Sequence, residues 1–178
     1  MLQGGFELRD WESTGFKTEH GLETSVLGMK WNHQLHSLRV NMSWMNESSL
    51  EKIMKRIMLS AAYKVFVPVR FTIPVMLCAK LMLQKAWKMS IGWDNGIMGN
   101  LRKEFIQWFQ DLKIHEEIHI SRGINVTAEN LKHCAIHAFC DASKEAYAAV
   151  VFLRIEEEVS VKLSLLAAKS RVAPLKRW

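Results

Sequence analysis

The stretch AIHAFCDASKEAYAAVVFLRIEEEVSVKLSL, residues 135–165, decides the fold. Ala135–Asp141 is a short apolar run, Tyr147–Ile155 is nearly continuous, and Val159, Val161, Leu163 and Leu165 alternate with Ser160, Lys162 and Ser164. A repeat of two marks an extended chain, whose successive side chains point to opposite faces. Glu156–Glu158 supply a polar break between the last two runs. The pattern predicts a three-stranded antiparallel meander that stops near Pro174–Trp178.

Upstream of this stretch the period lengthens to 3.6. Ser48 and Glu51 have capping-box spacing, and Leu50, Ile53, Met54, Ile57, Met58, Ala61 and Val65 follow on one helical face. Pro68 ends that helix, and Pro74 suits the first turn of a second one running to about Met89, with Lys80, Gln84 and Lys88 as its polar stripe. A third begins near Gly99 and places Leu101, Phe105, Trp108, Phe109 and Leu112 together. Three amphipathic helices with short connections predict a compact bundle. Nearer the start, Gly5–Trp11 and Ser25–Trp31 read as two strands joined by a long polar connection. The class is therefore α+β, divided into 1–46, 47–122 and 123–178.

With 178 residues, 49% apolar and 24% charged, the chain has the composition of a globular protein, and no apolar run reaches the ~20 residues of a membrane helix. The opening MLQGGFELRD lacks the pattern of a signal peptide, so an intracellular location, cytoplasmic or nuclear, is expected. Cys78, Cys134 and Cys140 are odd in number and unpatterned, as free thiols in a reducing compartment are. The net charge of +6 is concentrated: residues 51–90 carry 8 basic side chains against 1 acidic. Such a block suits a surface that faces phosphates, or a solvated lysine face.

Three groupings invite chemistry. HEEIH, His115–His119, matches the pattern in which two histidines one helical turn apart bind zinc and a glutamate, here Glu116, acts as general base. Its context argues against this, because Ile118 and Ile120 alternate as in a strand, where residues four apart lie ~13 Å apart. His133, Cys134, His137 and Cys140 would split between the two faces of a strand. Asp141, at the end of an apolar strand, is a candidate metal ligand or, equally, a turn initiator. Neither Asp-Thr-Gly nor Asp-Ser-Gly, the signatures of a retroviral-type aspartic peptidase, occurs, and no G-x-S-x-G or phosphate-cradling glycine loop is present.

Several blocks in one order are more specific than any of these: GGFELRDW (4–11), SVLGMKWN (25–32), AYKVF (62–66), FTIPVMLCAKLMLQKAW (71–87), IGWDNG (91–96), FCDASKEAYAAVVFLR (139–154) and LLAAKSRVAPLK (165–176). Together they resemble the Pol polyprotein of BEL/Pao long-terminal-repeat retrotransposons, from the end of the reverse transcriptase into its RNase H domain. Much of this stretch also carries the family label Pao retrotransposon peptidase, which the missing aspartic-peptidase signature does not support. The resemblance implies a primer-gripping hairpin at Gly28, Met29, Lys30 and Trp31, a thumb made of the three helices, and a truncated ribonuclease-H-like sheet. Asp141 would be the first of four carboxylates that hold two magnesium ions in the intact parent and activate water for RNA cleavage.

Other parts of that pattern are missing. No Asp-Asp pair occurs, and Phe66, Val67, Pro68, Val69 and Arg70 stand where the family has a Phe-Asp-Pro-hydrophobic-Gly turn. One carboxylate cannot position two hydrated magnesium ions. The expectation is thus a non-catalytic fragment of a transposable element, with no cofactor as it stands and with the rest of the polyprotein as a partner. Weak, non-specific binding of duplex or RNA/DNA hybrid is expected through Lys52, Lys55, Arg56, Lys80 and Lys88. A domesticated protein-interaction module and a zinc metallopeptidase at His115–His119 are the alternatives. The meander is expected to be the weak part, its apolar face, Ile136 and Val150 included, awaiting a helix.

Overall fold

A computed structural model describes residues 23–45, 50–65 and 71–175. The strand expected at Gly5–Trp11, the Ser48 cap, the turn at Phe66–Arg70 and the last three residues lie outside them. Among the described residues the chain forms an N-terminal antiparallel sheet, three α-helices and a second, three-stranded antiparallel sheet. The class is α+β.

The first sheet contains β1 (Glu23–Val26), β2 (Met29–Asn32) and β3 (Ser37–Val40). Ser25–Trp31, expected as one strand, is instead a hairpin: Leu27 (φ 50°) and Gly28 (φ 79°) both adopt left-handed backbone and reverse the chain in two residues. Two positive φ angles make the turn whose twist matches that of paired strands. Asn32 organises the next turn, its Oδ1 accepting from the Gln34 and Leu35 amides at 3.1 and 2.9 Å. The register places Met29 opposite Val40 and Trp31 opposite Leu38, and all four are buried.

That buried face meets the helices α1 (Lys55–Lys64), α2 (Ile73–Lys88) and α3 (Gly99–Asp111). α1 starts six residues later than its capping-box signal suggests. Met54 is held extended in a bridge to Gly96, and the Ile97 amide donates to the Ile53 carbonyl at 2.8 Å. Pro74 does occupy the first turn of α2. Met58, Ala79, Ala86 and Phe105 form the centre of a core that also takes in Met29, Trp31 and Val40, so it spans both sides of residue 46. A 3-10 turn, Leu112–Glu116, leads from α3 into the two-residue strand β4 (Ile120–Ser121), which pairs with β3 through Leu38 and Ile120.

The second sheet is the expected meander of β5 (Cys134–Ala142), β6 (Ala146–Glu156) and β7 (Val161–Val172). β7 runs seven residues beyond the alternation that announced it and absorbs a bulge opposite Val151 and Phe152. The register sends His137, Phe139 and Asp141 of β5 to the same face as Ala148, Val150 and Phe152 of β6. Ile136 pairs with Leu153 and Val150 with Phe139, so Ile136 and Val150 occupy opposite faces and cannot await the same helix. Nor is the sheet bare, because α2 lies against β7 and buries Ala168 and Ser170. β5 remains open, with Phe139 57% and Ile136 70% exposed.

Candidate nucleic-acid interface

α1 and α2 contain six cationic side chains and no acidic one, which makes them the most one-sided in charge of the described α-helices. Tertiary packing divides the expected phosphate contacts into two groups. Lys55 is not on the surface: it is 2% exposed, and its Nζ sits 3.9 Å from the centroid of the Trp87 ring. Position 55 faces inward at the start of α1, where an aromatic face compensates the ammonium for lost water. Arg56 is exposed but engaged, with Nε and Nη2 donating to the Asp94 carboxylate at 3.1 and 3.3 Å. Lys52, Lys80 and Lys88 are exposed, and no carboxylate among the described residues pairs with them. Lys85, one turn before the end of α2, is held by Glu104 at 2.8 Å.

The LGMKW hairpin is equally divided. Gly28 is at the exposed turn and Lys30 is half-buried, whereas Met29 and Trp31 point into the core. Trp31 is enclosed further by the Arg122 guanidinium, 4.0 Å from its ring centroid, and by His33 stacked at 4.2 Å. Beside it Arg39 donates to both carboxylate oxygens of Glu23, at 3.0 and 2.6 Å, and that hydrogen bonding holds the Glu23 carboxyl below the usual carboxylate range.

Asp141 lies within β5, exposed, and its Oδ1 accepts the Ala142 amide at 2.9 Å. It does not initiate the turn: Ser143 does, its Oγ accepting the Glu145 and Ala146 amides at 3.2 and 3.1 Å. Among the described residues no three His, Cys, Asp or Glu side chains are grouped to hold a metal ion. An exposed carboxylate with one oxygen engaged by its own backbone and no such group around it among the described residues does not fit a pair of magnesium ions.

HEEIH is split by a change of structure. His115 is buried in the 3-10 turn with Nδ1 3.2 Å from the Leu112 carbonyl, His119 lies exposed beyond it, and Glu116 faces Arg39 at 3.4 Å. His137 occupies the sheet face opposite Cys134 and Cys140, and the three cysteines are free thiols. No helix among the described residues is long and apolar enough to cross a membrane.

Two cavities were not visible in the sequence. One, of about 430 Å³, opens between Phe71, Ile73 and Pro74 and the sheet face of Phe139, Val150 and Phe152. The other, of about 500 Å³, is a groove between α1, α2 and the chain after β7, lined by Tyr63, Lys80 and Trp87. Its one sequence signal is Trp87 beside Lys88, an aromatic at the edge of a polar stripe. The family model of the Pao retrotransposon-like RNaseH-like domain matches residues 54–178. No curated protein and no solved structure matches the chain.

Proposed function

We propose, from the premise that the chain belongs to the Pao retrotransposon-like RNaseH-like domain family, that it is a part of a retrotransposon Pol polyprotein spanning the end of the reverse transcriptase and the start of RNase H. Its role there is to hold duplex or RNA/DNA hybrid by the phosphate backbone, without sequence preference. The observation that carries this reading is that α1 and α2 contain no acidic side chain, with Lys80 and Lys88 of α2, and Lys52 just before α1, exposed and unpaired among the described residues. Lysines are point charges suited to phosphate, and phosphate contacts set register without reading bases. The remainder of the polyprotein is the natural partner, in a cytoplasmic or nuclear setting. Cleavage is assigned to the larger protein, since among the described residues no three His, Cys, Asp or Glu side chains gather around Asp141 to complete a metal site.

Salt dependence tests the role. Three phosphate contacts give a slope of about −2.7 in log affinity against log salt, a loss of roughly 40-fold between about 50 and about 200 mM. The double variant Lys80→Glu, Lys88→Glu should abolish most of the binding. An affinity indifferent to salt and to these charges would move the reading to a protein-interaction module docking on the apolar cavity beside Phe139. Magnesium-dependent hydrolysis of a hybrid that disappears in Asp141→Asn would overturn the non-catalytic assignment.

A further inference from the structure

The groove between α1, α2 and the segment following β7 has the chemistry of a site for unpaired bases. Leu59, Ala62, Leu83 and Pro174 give it an apolar floor, Tyr63 and Trp87 give it two aromatic rings, Lys80 adds a cation, and no carboxylate lines it among the described residues. Its walls are fixed. Gln84, buried in α2, donates from Nε2 to the Ala173 carbonyl at 2.5 Å and ties the chain after β7 to the helix. Trp87 is held from two directions, by the Lys55 ammonium and by Trp93, whose ring centroid lies 5.2 Å away at an interplanar angle of 89°. A ring already held in place loses little freedom when a ligand stacks on it. Tyr63 is 74% exposed, so its ring is open to a ligand.

We infer that this groove binds a single strand of nucleic acid, its bases stacking on Tyr63 and Trp87 and its phosphates passing Lys80 toward Lys88. The inference rests on the proposed nucleic-acid role and adds the class of strand. Charge decides the occupant: among the described residues the lining carries a cation and no anion, and a second lysine without a carboxylate partner follows two helical turns along α2, about 12 Å away. Aromatic rings in a cationic groove suit single strands of any sequence, because every base has a π face and phosphates recur along the chain. A duplex keeps its bases stacked inside and can offer this groove only its backbone.

The test uses the full 178-residue chain and fluorescence polarisation of three labelled probes: oligothymidylate, an abasic strand with the same number of phosphates, and a duplex of the same length. Oligothymidylate should bind at least about fivefold more tightly than the abasic strand, the lower end of what base stacking on an aromatic ring contributes. Tyr63→Ala should erase that advantage, Tyr63→Phe should preserve it, and neither should change duplex affinity. Equal binding of the abasic strand, or an advantage that survives Tyr63→Ala, would overturn the inference. So would an acidic, tyrosine-containing peptide that occupies the groove when no oligonucleotide does. Salt-sensitive duplex binding with no preference for bases would remove this inference and leave the proposed function standing, whereas failure of all three probes would remove both.

Discussion

Replacing Gln84 by leucine probes how the helices hold the second sheet. The side chain is buried on α2, and its amide donates to the Ala173 carbonyl, one residue past β7. Leucine keeps most of the volume and removes the donor. A typical intramolecular hydrogen bond contributes about 1 kcal/mol net, and the half-buried position of Ala173 lets water reach its carbonyl, so the larger penalty of a sealed acceptor does not apply. One kcal/mol is roughly a fivefold change in a local opening equilibrium. The amides of residues 168–172 should therefore exchange about fivefold faster in Gln84→Leu by hydrogen exchange with mass spectrometry, while those of β5, which lies across β6 from this contact, keep their rates. In the parent chain β5 should already exchange faster than α2, because its outer edge is unpaired among the described strands. Unchanged exchange in β7, or equal acceleration in β5 and β7, would refute the idea that this hydrogen bond anchors the end of β7 to α2.

Ser170 is buried with no hydrogen-bond partner for its hydroxyl among the described residues, so Ser170→Ala should stabilise the chain by about 1 kcal/mol and raise Tm by a few degrees; a fall in Tm would reveal a partner for the hydroxyl. Leu27 is exposed at φ 50°, where a side chain costs ~1–2 kcal/mol. After glycine's own entropic cost, Leu27→Gly should gain up to about 1 kcal/mol in urea unfolding, and a loss would contradict the two-residue turn. The Arg39 hydrogen bonds depress the folded-state pKa of Glu23, so their stabilisation is full above the unfolded value near 4.5 and is lost as pH falls through the lower folded value. Glu23→Gln should flatten the acid limb of the stability profile below about pH 4.5, and an unchanged limb would show that the pair contributes nothing.

What could be read from the sequence was whatever local periodicity determines. The alternation after Val159 and the 3.6 spacing from Leu101 to Leu112 each name one face of one element, and both elements form. Pro74 marks the start of α2 because its ring fits only the first turn of a helix. The misreadings fall where a distant partner decides. Residues 50–54 have helical spacing, yet the bridge from Met54 to Gly96 keeps Met54 extended. Lys55 counts as a surface charge until Trp87, 32 positions later, supplies its ring. In the candidate site the excess of lysine was legible in composition, whereas the groove was not, since Tyr63, Trp87 and Pro174 come together only through the packing of α1, α2 and the end of β7. Leu27 gives no warning of a turn, because leucine is not a residue that favours left-handed backbone.

The pairing of β3 with β4 joins Leu38 to Ile120, about eighty positions apart. Closing a loop of that length costs on the order of 4 kcal/mol in chain entropy, more than a two-residue strand returns. β4 therefore zips only after the helices have brought its ends together, and it fastens the exit of α3 to a hairpin lying upstream of residue 54, where the family match begins. The segment that the family model matches and the unit that melts are consequently different. Severing the chain at residue 54 would remove Met29, Trp31, Leu38 and Val40 from the core and leave β4 with an open edge, so the helices and the first sheet should unfold in a single transition that no trimming to the family boundary can preserve.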